Sequence, residues 1–192
     1  MNAIDHASQM PKKPWVIVGK GPSFDPYFKD FLKYNVLSIN DAMERSTSFT
    51  PYGIIFNDWK AIPKINFKKA PFVYAPISKM NLEDFSFYDL YNSADRLLGL
   101  DLKKTHCFNL NNTAKKIPEY GPTIHAFNST YESAIWILAH AGVKDVFTMG
   151  IDFSHEYHDV FKLEKREVGF GAMRYYAQVA IDYFGMKVEV IK

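Results

Sequence analysis

The sequence predicts an α/β protein of Rossmann-like, doubly wound type: a mostly parallel sheet with helices on both faces. Three observations predict it. Short apolar runs recur along the chain and break at polar or turn-forming residues, as strands buried in a parallel sheet do. The first run, Trp15 to Val18, breaks into Gly19-Lys20-Gly21-Pro22-Ser23, a glycine-rich turn ahead of a segment with helical spacing. The last third then alternates helix, strand, helix, strand, which is the grammar of parallel sheets.

The bulk numbers fit one domain. A chain of 192 residues can bury one sheet and its covering helices. A net charge of +2 is too small to argue for nucleic acid or an anionic membrane as partner. The aromatic share of 16% suits either an aromatic core or a cleft with stacking walls. The single cysteine, Cys107, excludes an intramolecular disulfide and a cysteine-rich metal site, and its place in an expected strand, His106-Cys107-Phe108, predicts burial. The polar start is not signal-like, and no apolar run reaches transmembrane length. The expected location is cytoplasmic, peripheral to a membrane if the acceptor is lipid-linked.

In chain order, residues 1–13 read as a flexible leader and residues 14–192 as a single nucleotide-binding domain. Strand one is Trp15 to Val18. Helix one is expected from Phe24 to Lys33, with Ser23 or Asp25 near its N-cap. Strands follow at Asn35 to Ile39, Tyr52 to Phe56 and Phe72 to Ala75. A short helix is expected within Ser86 to Leu98, a strand at Thr105 to Leu110, and a proline-containing loop at Lys115 to Thr123. Ser129 to Ala141 reads as a strong helix, because Ala134, Ile137, Leu138 and Ala141 share a face and Ser129 with Glu132 forms a capping box ended by Gly142. Asp145 to Met149 is a strand, Glu167 to Phe184 a helix, and Lys187 to Ile191 a last strand.

Four constellations could carry chemistry. Gly19-Lys20-Gly21-Pro22-Ser23 offers backbone N–H groups and a hydroxyl to a phosphate, or is a plain strand-to-helix turn. It lacks the Lys-Ser/Thr ending of a P-loop and the third glycine of a dinucleotide fingerprint. Asn40-Asp41 and Asn57-Asp58 end strands two and three. A carboxamide both donates and accepts, which suits a base or ribose edge as well as an Asx turn. Asn128-Ser129-Thr130 opens a helix, a ready anion site or simple capping. Gly150 to Asp159 gathers Asp152, His155, Glu156, Tyr157, His158 and Asp159. His155, His158 or Asp159 could serve as general base, since imidazole titrates near neutrality. Metal ligation is the weaker alternative, because no HExxH pattern is present.

Together these segments resemble a known pattern. Val16 to Ser23, Ser38-Ile39-Asn40, and Ser129-Thr130 running through Ala139 to Phe153 are similar in order and spacing to the bacterial sialyltransferases of glycosyltransferase family 42. They are also similar to the related domains of motility accessory factors and hydroxymethylpterin pyrophosphokinase-like proteins. The resemblance implies a GT-A-variant Rossmann-like domain that transfers sialic acid from CMP-sialic acid without a metal. It implies that Gly21 and Ser23 lie by the donor phosphate, Asn40 by the nucleotide, Thr130 at a helix start near the donor, and Asp152 at the nucleotide end of the sheet.

The leading expectation is a metal-independent, glycosyltransferase-like enzyme of surface glycan (lipopolysaccharide) synthesis that needs no cofactor beyond its nucleotide-sugar donor. Gly19, Gly21, Pro22, Ser23, Asn40, Asp41, Asn57, Ser129, Thr130 and Asp152 would hold nucleotide and phosphate. Tyr157 would stabilise the departing phosphate, and His155 or His158 would deprotonate the acceptor hydroxyl. The expected partners are a nucleotide sugar and a glycan acceptor, with room for a homo-oligomer. Two alternatives stand beside it: a magnesium-dependent pyrophosphoryl transferase using Asp41, Asp58 and Asp152, and a non-catalytic nucleotide-binding module.

Overall fold

A computed structural model describes residues 3–45, 49–76, 101–110, 123–124, 129–153 and 170–191. Its strands are β1 (Trp15–Val18), β2 (Asn35–Ile39), β3 (Gly53–Ile55), β4 (Phe72–Pro76), β5 (Thr105–Leu110), β6 (Thr123–Ile124), β7 (Asp145–Met149) and β8 (Lys187–Val190). They form one eight-stranded sheet in the order β6-β5-β4-β3-β2-β1-β7-β8. Every pairing is parallel. The chain therefore steps outward from β1 to β6, then returns to lay β7 on the other side of β1. Register is continuous across that return: Val18 lies between Ser38 and Met149. The α/β, Rossmann-like fold expected from the sequence is the fold observed.

Period-two side chains give the sheet two buried faces. Trp15, Ile17, Leu37, Ile55, Tyr74 and Phe108 share one core with the helices α1 (Ala3–Ala7), α2 (Thr130–His140) and α3 (Phe170–Phe184). The neighbours of those strand residues face the other way. Val16, Val18 and Val36 meet Phe24, Phe31 and Met43, and Ile54, Phe56 and Val73 meet Ile62, Ile65 and Phe67. Trp15 is fully buried, and a side chain of that size contributes about 3 kcal/mol on burial. Among the described residues no helix is long and apolar enough to cross a membrane.

The second face is where the structure departs from expectation. No α-helix runs from Phe24 to Lys33; only a 3-10 helix, Lys29–Lys33, forms there. The reason is local. Pro26 disfavours helical backbone at Asp25, and the Asp25 carboxylate accepts the Tyr27 N–H at 2.8 Å, an Asx turn that competes with helix. Further 3-10 helices at Ala42–Arg45, Trp59–Lys64 and Phe67–Lys69 cover the rest of this face. The described α-helices all lie on the opposite one.

The leader is a second correction. Ala3, His6, Ala7 and Met10 are buried, and α1 packs against β5 and α2. His6 Nδ1 lies 3.1 Å from the Tyr74 hydroxyl, and its ring stacks on His106 with centroids 3.8 Å apart. The segment is docked, not loose. Cys107 is exposed, not buried, because it points away from the face that buries His106 and Phe108. Thr123, expected at the end of the Lys115-to-Thr123 loop, instead joins Ile124 in a short strand that extends the sheet beside Asn109 and Leu110. The helix expected within Ser86 to Leu98 lies outside the described residues.

Candidate functional site at the strand-order switch

In open α/β sheets the carboxyl ends of the strands form a crevice where the strand order reverses. Here that point lies between β1 and β7, where the two glycine turns meet. The Gly19 N–H donates to the Met149 carbonyl at 2.8 Å and the Gly21 N–H to the Gly150 carbonyl at 2.8 Å. The Gly150 N–H in turn donates to Ser23 Oγ at 2.8 Å, and the Ser23 N–H donates to Asp152 Oδ2 at 3.0 Å. The glycines are required by this approach. A Cβ on Gly19 would sit 2.5 Å from the Gly150 carbonyl oxygen, and one on Gly21 would collide with Asp152 Oδ2. Gly150 itself has φ +68°, which favours glycine.

This bonding corrects the expected role of the first turn. The N–H groups of Gly19, Gly21 and Ser23 are engaged with the β7 turn, so these amides are not a free cradle for phosphate; the Ser23 hydroxyl accepts the Gly150 N–H and keeps its own proton to donate. Gly21, Pro22 and Ser23 do not line the cleft beside the switch; Gly19 and Lys20 do.

That cleft has a volume of about 150 Å³ and is closed by three further segments: Ile39-Asn40, the start of α2 from Ser129 to Tyr131, and Gly150 to Phe153. It brings together Gly19, Asn40, Ser129, Thr130 and Asp152 from the sequence expectation. Asn40 stands out among them. Its backbone has φ +52°, uncommon outside glycine, and its N–H bonds the Ile55 carbonyl at 2.9 Å. Its Oδ1 is buried with no hydrogen-bond partner among the described residues. A buried acceptor left unmade costs about 1–3 kcal/mol, so a ligand group that donates to it recovers that cost.

The opposite wall is the start of α2. Ser129 Oγ accepts the Glu132 N–H at 3.1 Å, and Glu132 Oε2 accepts the Ser129 N–H at 3.0 Å, the capping box the sequence predicts. A helix leaves its first N–H groups without intrahelical acceptors. The box engages those of Ser129 and Glu132, which leaves the amides of Thr130 and Tyr131 at the positive end of the helix dipole. Burial pushes the Tyr131 phenol above its ordinary value, so it stays protonated and serves as a neutral hydrogen-bonding group or packs.

Lys20 was not singled out by the sequence. Its Nζ lies 3.0 Å from Asp41 Oδ1, with side chains only 11% and 10% exposed. Asp41 thus reaches the cleft through Lys20, and the pair ties the β1 turn to the end of β2. A glycine-flanked lysine was the only local signal; its partner 21 positions on was not readable. Tyr131, Phe153 and Met173 are further lining residues missed by sequence reasoning.

Asn57 follows β3 with its own Oδ1 buried and unpartnered among the described residues, but it is not among the residues lining the cleft. Asp58 caps the next turn by accepting the Lys60 N–H at 2.9 Å. With Asp41 on Lys20 and Asp58 on its cap, these two carboxylates do not converge with Asp152. Among the described residues no group of three or more His, Cys, Asp or Glu is placed to hold a metal ion. His155, Tyr157 and His158 lie outside the described residues. The chain matches no family model and no curated protein.

Proposed function

We propose that this protein is a metal-independent, glycosyltransferase-like enzyme that holds a nucleotide-activated sugar, CMP-linked in the leading form, in the cleft between β1, β2, β7 and the start of α2. The observation that carries the reading is Asn40. A half-buried carboxamide whose Oδ1 is buried with no partner among the described residues, at the carboxyl end of a parallel strand and in left-handed backbone, is where a nucleoside would be read. The α2 start supplies amides outside its capping box and a favourable dipole for its phosphate, and Lys20, paired with Asp41, lines the same cleft. Gly19, Gly21, Ser23 and Gly150 support this reading from behind, as the frame that fixes the cleft's shape.

The test is thermal melting with CMP, UDP, GDP and ATP, each with magnesium and with EDTA. The reading expects CMP to raise the melting temperature equally in both buffers, since a ligand that binds only the folded state stabilises it. A shift by ATP that needs magnesium would support pyrophosphoryl transfer instead. No shift by any nucleotide would overturn nucleotide binding at this cleft.

A further inference from the structure

A second cleft, of about 470 Å³, adjoins the first. The two share Tyr131, Ile151, Asp152 and Phe153, so the turn after β7 is the partition between them. The first cleft, at about 150 Å³, is smaller than sites that enclose a whole small ligand, which run from about 300 Å³ upward, so a nucleotide sugar seated at Asn40 extends beyond it toward the partition. The second is lined on its far side by Arg174 and Gln178 of α3 over an apolar floor that includes Ile181 and Val188. A cleft with an arginine, an amide and an apolar floor suits a polyhydroxylated acceptor.

The partition is unusual in its backbone. Phe153 has φ +49°, and a bulky side chain in that region is a strained outlier of the kind that persists where surrounding structure fixes it. It packs edge-on against Tyr131, with centroids 5.6 Å apart. Asp152, beside it, is held by one oxygen only. Oδ2 accepts the Ser23 N–H, and Gly21 has no Cβ where that oxygen sits. Oδ1 has no partner among the described residues. Among the described residues lining either cleft, Asp152 is the one carboxylate. Lys20 and Arg174 are cations, and Tyr131 holds its proton. No other described lining side chain is suited to take one.

We propose that Asp152 is the general base of the transfer, acting on an acceptor hydroxyl bound in the Arg174 cleft while the donor occupies the Asn40 cleft. This rests on the glycosyl-transfer reading above. In the step, the acceptor oxygen forms a bond to the anomeric carbon of the donor sugar. The bond from that carbon to the phosphate oxygen breaks, and its electron pair leaves with the nucleotide. The acceptor proton passes to Asp152 Oδ1. The Ser23 N–H and the strained Phe153 hold the carboxylate between the two clefts.

Asp152→Asn tests this directly. The carboxamide oxygen still accepts the Ser23 N–H, so the turn is kept while the base is lost. Release of nucleotide is followed from CMP-N-acetylneuraminate, UDP-glucose, UDP-N-acetylglucosamine and GDP-mannose, with lactose as hydroxyl acceptor. The melting shift with CMP is measured alongside. The expected result is turnover lowered by about 10²–10⁴-fold with the CMP shift retained. Turnover within about threefold of wild type, or a wild-type protein that binds CMP yet turns over none of the four donors, overturns the base assignment and leaves nucleotide binding standing. A wild-type protein that binds no nucleotide overturns the underlying reading instead.

Discussion

The two walls of the Asn40 cleft are built differently. On the β1–β7 wall, the N–H groups of Gly19, Gly21, Ser23 and Gly150 all end on protein acceptors. Across the cleft, Asn40 Oδ1 is buried with no partner among the described residues, and the capping box engages only the Ser129 and Glu132 N–H groups of the α2 start. The first wall is closed and serves the fold. The second is held open, and its unmade bonds are what a ligand can complete. The glycine-rich turn is thus the more conspicuous motif but the less available one.

The sharpest way to break this contrast is Gly19→Ala. The new methyl meets the Gly150 carbonyl oxygen at 2.5 Å and the Ile151 side chain at 2.6 Å. Overpacking against backbone should cost about 3 kcal/mol, lowering the melting temperature by about 6–12 °C. An unchanged melting temperature would mean the two turns do not lock together. Asn40→Gly probes the other wall. Glycine keeps the left-handed backbone without strain and removes the orphaned oxygen. CMP affinity should fall about tenfold, or about 1.4 kcal/mol, in a calorimetric titration, while the melting temperature stays level or rises. One variant should therefore lose stability and the other binding.

Ser129→Ala has a smaller expected effect. It removes the acceptor for the Glu132 N–H and should cost about 1 kcal/mol, visible as a drop of about 2–4 °C on heating.

The smallest effect is on pH dependence, and it arises on the helical face. Burial holds the His6 and His140 imidazoles below their ordinary value of 6.5. The unfolded chain then binds more protons than the folded one as pH falls through 6.5, so stability declines there and levels off below the lowered folded values. Urea midpoints should be flat above about pH 7.5 and fall toward about pH 5.5. His6→Phe should reduce that slope without abolishing it, since His140 contributes with the same sign.

Much of the frame was legible because it rests on local pattern. Trp15–Val18, Asn35–Ile39, Thr105–Leu110 and Asp145–Met149 are apolar or alternating runs bounded by turn residues, and the Ser129–Glu132 box announces its helix. Other features depend on contacts that periodicity does not carry. α1 is five residues long, too short to show a helical face, and it is fixed by His6 against Tyr74 and His106 far along the chain. The Phe24-to-Lys33 spacing looked helical, but the Asp25-Pro26 pair outweighed it. In the site, the chemistry of Asn40 could be guessed from its type and place. Its missing partner could not, nor the Lys20–Asp41 pair, nor the use of the glycine-turn amides by β7. Those are properties of two loops brought together, not of either alone.

The contrast between the walls can be read amide by amide. In a ¹H–¹⁵N NMR titration with CMP in EDTA, the account predicts the largest shifts at the Thr130 and Tyr131 amides and at the Asn40 side chain. The Gly19, Gly21 and Ser23 amides should move little, because their acceptors stay in place. Dominant shifts at Gly19, Gly21 and Ser23 with Asn40 and Thr130 unmoved would contradict it.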